Sequence, residues 1–269
     1  MKLLSIIAMF LLTATACAQK DTSFLLLRTY SGDIVNASLD NLDNLYVVSS
    51  TGQIKKLNSK GDSVAVFNGI RAFGKLQAID VTNPLRPLLF YKDFSTVVVL
   101  DRFFANRSSI DLRRHNILQP SAIGLSYDNN IWVFDQYDSK LKKINESGNK
   151  LLETPDFRQL FGKSIVPQKI INDNGFVYLA DSAQGIYVFD NYGTFKRRIE
   201  LKSWRYLDVW NGRLVRLNEN AIVVYDPSTF SEQQQLFPQH FTPYRHSFTT
   251  RNQLVTFSPD SLRIYRFGN

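Results

Sequence analysis

Cationic and aromatic side chains keep company at five places in this chain of 269 residues. These are Arg71, Phe73 and Lys75; Arg113, Arg114 and His115; Phe157, Arg158, Phe161 and Lys163; Lys202, Trp204 and Arg205; and His240, Phe241 and Tyr244. A guanidinium fork pairs with carboxylates or phosphates and a nearby ring supplies an apolar anchor, so such groups suit capture of an acidic or extended partner. The competing reading is that the rings pin long loops to the structure beneath while the cations stay in water. Catalytic patterns do not stand out. The sequence holds no Gly-x-Ser-x-Gly elbow and no glycine-rich phosphate loop leading from a strand into a helix. His115, His240 and His246 are the only histidines, and none forms a close chelating pair in sequence. Cys17 is the only cysteine, which excludes a disulfide, a thiolate metal site and a cysteine nucleophile from the folded part. Neither a metal ion nor a cofactor is expected.

The segments between those clusters repeat one grammar: an apolar run, a polar turn, a β-rich run such as Leu45-Tyr46-Val47-Val48, another turn, and a third run. Equivalent second runs begin near Leu45, Leu88, Ile131, Val177, Leu214 and Leu254, roughly 40 residues apart, the period of a four-stranded blade. An all-β fold follows, a six-bladed β-propeller over residues 22–269. Turns rich in Asn, Asp, Gly and Ser separate the runs, Asn211-Gly212 being the strongest hairpin signal among them. Thr96-Val97-Val98-Val99-Leu100 reads as buried on both faces. The last blade, over residues 245–267, supplies only three strands, whereas Phe24-Leu25-Leu26-Leu27-Arg28 has no partner of its own. The N-terminal run is therefore expected to complete the last blade and close the ring, which removes an exposed sheet edge.

In such a ring the connections from each outer strand to the next inner strand share a face with the turns between second and third strands. The clusters above then lie on one face, bringing Arg71, Lys75, Arg113, Arg114, Arg158, Lys163, Lys202 and Arg205 together against Asp156 and Glu200. Asp93, Asp135, Asp138, Asp181 and Asp260 join them from the second-to-third turns, so the field is mixed, and the opposite face reads as neutral or acidic. Lys55-Lys56, Lys142-Lys143 and Arg197-Arg198 read as solvated charge guarding blade peripheries. Trp132, inside a central β run, reads as blade core.

The first residues stand apart. Lys2 precedes an apolar run over residues 3–12, followed by the small residues Ala14, Ala16 and Ala18, the pattern of an export signal over residues 1–18. Two ends are open: cleavage after Ala16-Cys17-Ala18, or Ala14-Thr15-Ala16-Cys17 acting like a bacterial lipobox with Cys17 lipidated. No later stretch is long and apolar enough to form a transmembrane helix in the mature chain. The expected location is the periplasm or the periplasm-facing outer membrane. A net charge of +8 would otherwise suit nucleic acid. Export points instead to an envelope protein, with anionic lipid or glycan as further partners.

The Asn130-Ile131-Trp132-Val133 and Gly175-Phe176-Val177-Tyr178-Leu179 runs, with Leu141-Lys142-Lys143-Ile144, resemble the six-bladed NHL-repeat and TolB-like propellers. The resemblance covers nearly the whole mature chain and extends to exported propellers of Bacteroidetes; it implies a fold rather than an activity. Propellers of the lactonase type hold a cation in the central channel through carboxylate and Asn ligands, which by resemblance singles out Asp80, Asn172 and Asp208. The leading expectation is a non-catalytic interaction module of the cell envelope, within an outer-membrane assembly or secretion complex. Its candidate partner-binding residues are Arg71, Phe73, Arg113, Arg114, His115, Arg158, Phe161, Lys163, Trp204, Arg205, Phe241 and Tyr244. Two alternatives stay open: a metal-dependent hydrolase or lactonase working in the channel, and a small-ligand or glycan receptor.

Overall fold

A computed structural model describes residues 24–238 and 246–267. The chain enters through β1 (Phe24–Ser31) and then builds one blade after another. Blade one comprises β2 (Asn36–Leu39), β3 (Leu45–Val48), β4 (Gln53–Leu57) and β5 (Ser63–Asn68); blade two comprises β6 (Ala78–Asp80), β7 (Leu88–Tyr91), β8 (Thr96–Leu100) and β9 (Asn106–Asp111). Blade three follows with β10 (Pro120–Leu125), β11 (Ile131–Asp135), β12 (Lys140–Ile144) and β13 (Lys150–Glu153). Blade four holds β14 (Lys169–Asp173), β15 (Phe176–Asp181), β16 (Gly185–Asp190) and β17 (Phe195–Ile199). Blade five holds β18 (Leu207–Trp210), β19 (Arg213–Leu217), β20 (Ala221–Asp226) and β21 (Ser231–Leu236). Blade six takes β22 (His246–Thr249), β23 (Gln253–Phe257) and β24 (Ser261–Phe267) from the end of the chain, with β1 as its outer strand. Each sheet is a four-stranded antiparallel meander, and the fold is a six-bladed β-propeller closed by its own N-terminal strand. The strands expected from the turn and β-run pattern thus recur as blades.

Local chemistry sets the hairpins. Asn174-Gly175 and Asn211-Gly212 both place two successive residues at positive φ (48° and 81°, then 50° and 79°), the turn that matches the right-handed twist of antiparallel strands. Because the middle strands of a blade are sandwiched between neighbours, their apolar residues divide between two seams. Leu88 and Phe90 pack against Ile123, Ile131 and Val133 of blade three, while Leu89 and Tyr91 pack against Tyr46, Val48 and Ile54 of blade one. This explains the continuous apolar run Thr96–Leu100, buried throughout. The other seams repeat the scheme, blade six meeting blade one through Val255, Phe257, Leu262 and Ile264 against Ala37, Leu45 and Val47. Trp132 is fully buried in the seam between blades three and four, as its β run foretold.

Polar bridges cross every seam as well. Lys56 Nζ donates to the Arg102 carbonyl, Asp80 accepts the Leu125 N–H, Asn172 accepts the Tyr127 N–H and Asp173 accepts the Gly212 N–H. Tyr206 donates to the Thr249 carbonyl, and Gln253 donates to Asp43, closing the circle from blade six to blade one.

One expectation fails here. The paired lysines do not sit in water at blade edges, because β4 and β12 are third strands, covered by β5 and β13. Lys142 and Lys143 have side chains only 4% and 7% exposed, and Lys56 is likewise buried. Lys143 reaches Asp128 at 2.6 Å across the ring of its cross-strand partner Trp132, and Lys56 lies over Tyr46 in the corresponding place of blade one. Arg198, on the outer strand β17, stacks over Tyr187 and pairs with Glu200. Long stems cover apolar rings while the charged heads find carboxylates or carbonyls.

Candidate functional site

Strand direction alternates, so the inter-blade connections and the second-to-third turns emerge at one end of the ring. Three connections begin with a short helical turn: Ile70–Phe73, Leu112–His115 and Phe157–Phe161. Asp111 and Asp156 cap the last two, each accepting a hydrogen bond from the backbone N–H of the residue two positions on. Asn116 and Gly162, at φ 57° and 70°, end them.

The described aromatic members of the candidate set, Phe73, Phe161 and Trp204, pack against the blades. Phe73 packs on Tyr91 at 5.3 Å between ring centres, and Phe161 sits among Phe157, Tyr187 and Phe195 at about 5 Å from each. Trp204 is half-buried against the seam between blades four and five. Their rings hold the loops against the blades while staying half-buried. The cations face outward. Arg71, Arg113, Arg114, Arg158 and Arg205 are exposed, whereas Lys163 and His115 are partly covered. Most carry a local partner: Arg113 donates to the Asp93 carbonyl, Arg158 pairs with Asp156 at 2.6 Å, and Arg205 approaches Glu219 at 3.6 Å. The Asp156 carboxyl is held below its usual range chiefly by the Arg158 guanidinium. Phe241, Tyr244 and His240 lie outside the described residues, as does Cys17.

Asp135 and Asp181, expected as surface charge, are instead buried and organise the face from below. Asp135 accepts N–H bonds from Leu118 and Gln119 of the incoming connection and from Tyr137 of the second-to-third turn. Asp181 does the same for Val166, Ala183 and Gln184. A buried carboxylate needs this satisfaction, and Asp135 is further balanced by Lys142 at 2.8 Å. Burial alone would lower the Lys142 pKa, but hydrogen bonds to Asp135 and Asp138 raise it above the ordinary lysine value. The ammonium therefore stays charged.

What these carboxylates display was not foreseen. Leu118, Tyr137 and Val166 project into water, Tyr137 with 65% of its surface exposed, and Phe94 in the equivalent turn of blade two is 55% exposed. Leu160 joins them from the turn Phe157–Phe161. The signal lay in the turn sequences: Phe94 in Lys-Asp-Phe-Ser and Tyr137 in Gln-Tyr-Asp-Ser are large apolar residues where polar ones suffice. At the opposite end, expected to be neutral or acidic, Leu42, Leu85, Phe103, Tyr127, Tyr192 and Phe230 are exposed.

The inner-strand polar residues serve the seams. Asp80 and Asn172 accept the bridging N–H bonds already described, and Asp208 accepts the Tyr206 hydroxyl at 3.0 Å and faces Lys169 of blade four at 3.4 Å. Among the described residues no group of three or more His, Cys, Asp or Glu side chains gathers where it could hold a metal ion. No helix among them is long and apolar enough to cross a membrane.

No protein-family model matches the chain, and no curated relative does. Solved structures do. The WD40 domain of Neurospora crassa Pan2 is similar at 12% identity and a TM-score of 0.63, covering 93% of this chain and 97% of that one. Virginiamycin B lyase from Staphylococcus aureus is similar at 10% identity and a TM-score of 0.63, covering 91% and 100%. A protein of unknown function from Bacteroides caccae is similar at 14% identity and a TM-score of 0.50, covering 87% and 81%. At such identities the likeness is one of fold.

Proposed function

We propose that this propeller is a non-catalytic interaction module of the bacterial cell envelope, of the NHL-repeat/TolB-like class, and that its connection face over blades two to four docks an envelope protein. The observation that carries the reading is the pairing of exposed Leu118 with exposed Tyr137, both hung by their N–H groups from the one buried Asp135 carboxylate. Apolar residues whose backbone is fixed in advance lose less entropy on being covered, which favours them as contact residues. Arg71, Arg113 and Arg158 are exposed on connections at the same end of the ring and would favour an acidic rim on the partner. Catalysis in the channel has less support, because Asp80, Asn172 and Asp208 already bridge blades.

Location in the periplasm or on the periplasmic side of the outer membrane rests on the signal-like residues 1–18, with the Cys17 anchor as its lipidated form. The test is affinity capture from an envelope fraction with the parent chain and with a Leu118→Asp, Tyr137→Ala, Arg113→Ala variant. The parent should retain a stoichiometric protein that the variant loses, while the melting temperature changes little. Equal recovery by both chains would remove this face from consideration.

A further inference from the structure

A cleft of about 280 Å³ opens between the turn Leu112–His115 and the β12–β13 hairpin of blade three. Its walls are Arg114, His115, Asn116, Asn149 and Lys150, with Gly148 and the stem of Lys142 behind them. Every charged or titratable side chain among them is a base, and the two remaining polar ones are amides able to donate. No carboxylate lines it.

The nearby acids are engaged elsewhere. Asp135 and Asp138 are taken by Lys142, and Glu153 is shared by Lys140 and Lys150. Arg114, with its side chain 84% exposed, approaches Asp111 through Nε at 3.4 Å and lines the cleft, where its guanidinium keeps N–H groups open to solvent. Lys150 commits one N–H to Glu153, and an ammonium has three. The cleft also depends on a glycine: a Cβ at Gly148 would fall 2.2 Å from His115 Nε2, so the imidazole sits directly over the bare backbone.

We propose that this cleft binds the phosphate group of a phosphorylated sugar or lipid headgroup. A guanidinium fork, an ammonium, an imidazole and two amides offer more donors than a tetrahedral oxyanion needs, and they approach it from two elements that the blade holds rigid. The volume suits a headgroup-sized ligand rather than a macromolecule. By strand count the hairpin turn at Gly148 belongs to the opposite end of the ring from Leu118 and Tyr137. Arg114 and His115 come from the connection end, so the cleft runs between the two ends beside the docking face, and residues of that face serve as its controls.

Calorimetric titration of the full chain with inorganic phosphate, in chloride buffer of constant ionic strength, tests it. Saturable binding is expected, weakened at least tenfold by Arg114→Ala with Lys150→Ala and only partly by Arg114→Lys, whereas Arg113→Ala and Tyr137→Ala leave it unchanged. All four side chains are exposed, and unchanged melting curves confirm that each variant folds. Glucosamine phosphate in solution and phosphatidylcholine vesicles doped with a phosphorylated glycolipid distinguish the two sources; binding to either that is lost in the double variant supports the site. Absence of saturable binding, or equal binding by the double variant, overturns it.

Discussion

Asp128 illustrates how local contacts around one carboxylate set a measurable property. Burial by itself would raise its pKa, yet the Lys143 ammonium at 2.6 Å and hydrogen bonds from Asn130 and Ser126 bring it down to about 2 from an ordinary 3.8. A carboxyl whose folded pKa is depressed stabilises the fold above its unfolded value and ceases to do so as pH falls through the folded one. The stabilisation should thus be complete above about pH 4 and fade toward pH 2. Allowing for the part of the carboxylate that remains in water, it is on the order of 1 kcal/mol. Urea denaturation of the parent and of Asp128→Asn at pH 6, 4, 3 and 2.5 should show a gap that narrows over the last two steps; a gap independent of pH would refute the pairing. Nothing in the sequence signalled this contact. Lys142-Lys143 reads as surface charge until the register Trp132 to Lys143 is known, because only a cross-strand ring gives the stem something to cover.

Elements were far more legible than contacts. The hairpins at Asn174-Gly175 and Asn211-Gly212 and the runs 140–144, 185–190 and 261–267 follow directly from turn chemistry and β-rich composition. Seams are less visible, since they depend on which residue of one blade opposes which residue of the next. Gly124 shows the difference. In sequence it is an unremarked residue of an apolar run, but in β10 its missing side chain lets the strand approach β14 so closely that a Cβ would lie 2.5 Å from the Ile170 carbonyl oxygen. Gly124→Ala is expected to destabilise by about 1–3 kcal/mol through overpacking of the seam between blades three and four. The sign is diagnostic, because an alanine that fits would stabilise by about 0.4–1 kcal/mol through the unfolded chain. Thermal melts read it, and a higher melting temperature would show the seam to be loose.

At the scale of the whole molecule the ring has one joint that no hairpin makes. Blade six is assembled from both ends of the described chain, β1 lying along β24 from Phe24 opposite Phe267 to Ser31 opposite Ser261. Closure was readable because a strand-like run without a partner stood before blade one and the last blade lacked a strand. The apolar tips of the proposed docking face were not readable, because their exposure depends on the buried Asp135 and Asp181 beneath them. Beyond its ladder, β1 also clamps the neighbouring blade, Arg28 donating to the carbonyls of Asn58 and Asp43. A chain lacking residues 24–31 would lose those bonds together with the contact of Phe24 on Phe267, and would expose β24 as an unpaired edge. Such an edge recruits any available strand. The truncated protein should therefore melt at a clearly lower temperature and associate as its concentration rises, which sedimentation velocity would register as a growing fast species. Adding residues 24–31 as a free peptide should reverse both effects by refilling the edge. A truncated chain that stays monomeric and melts with the parent would mean that packing across the six seams, and not the closing strand, holds the ring together.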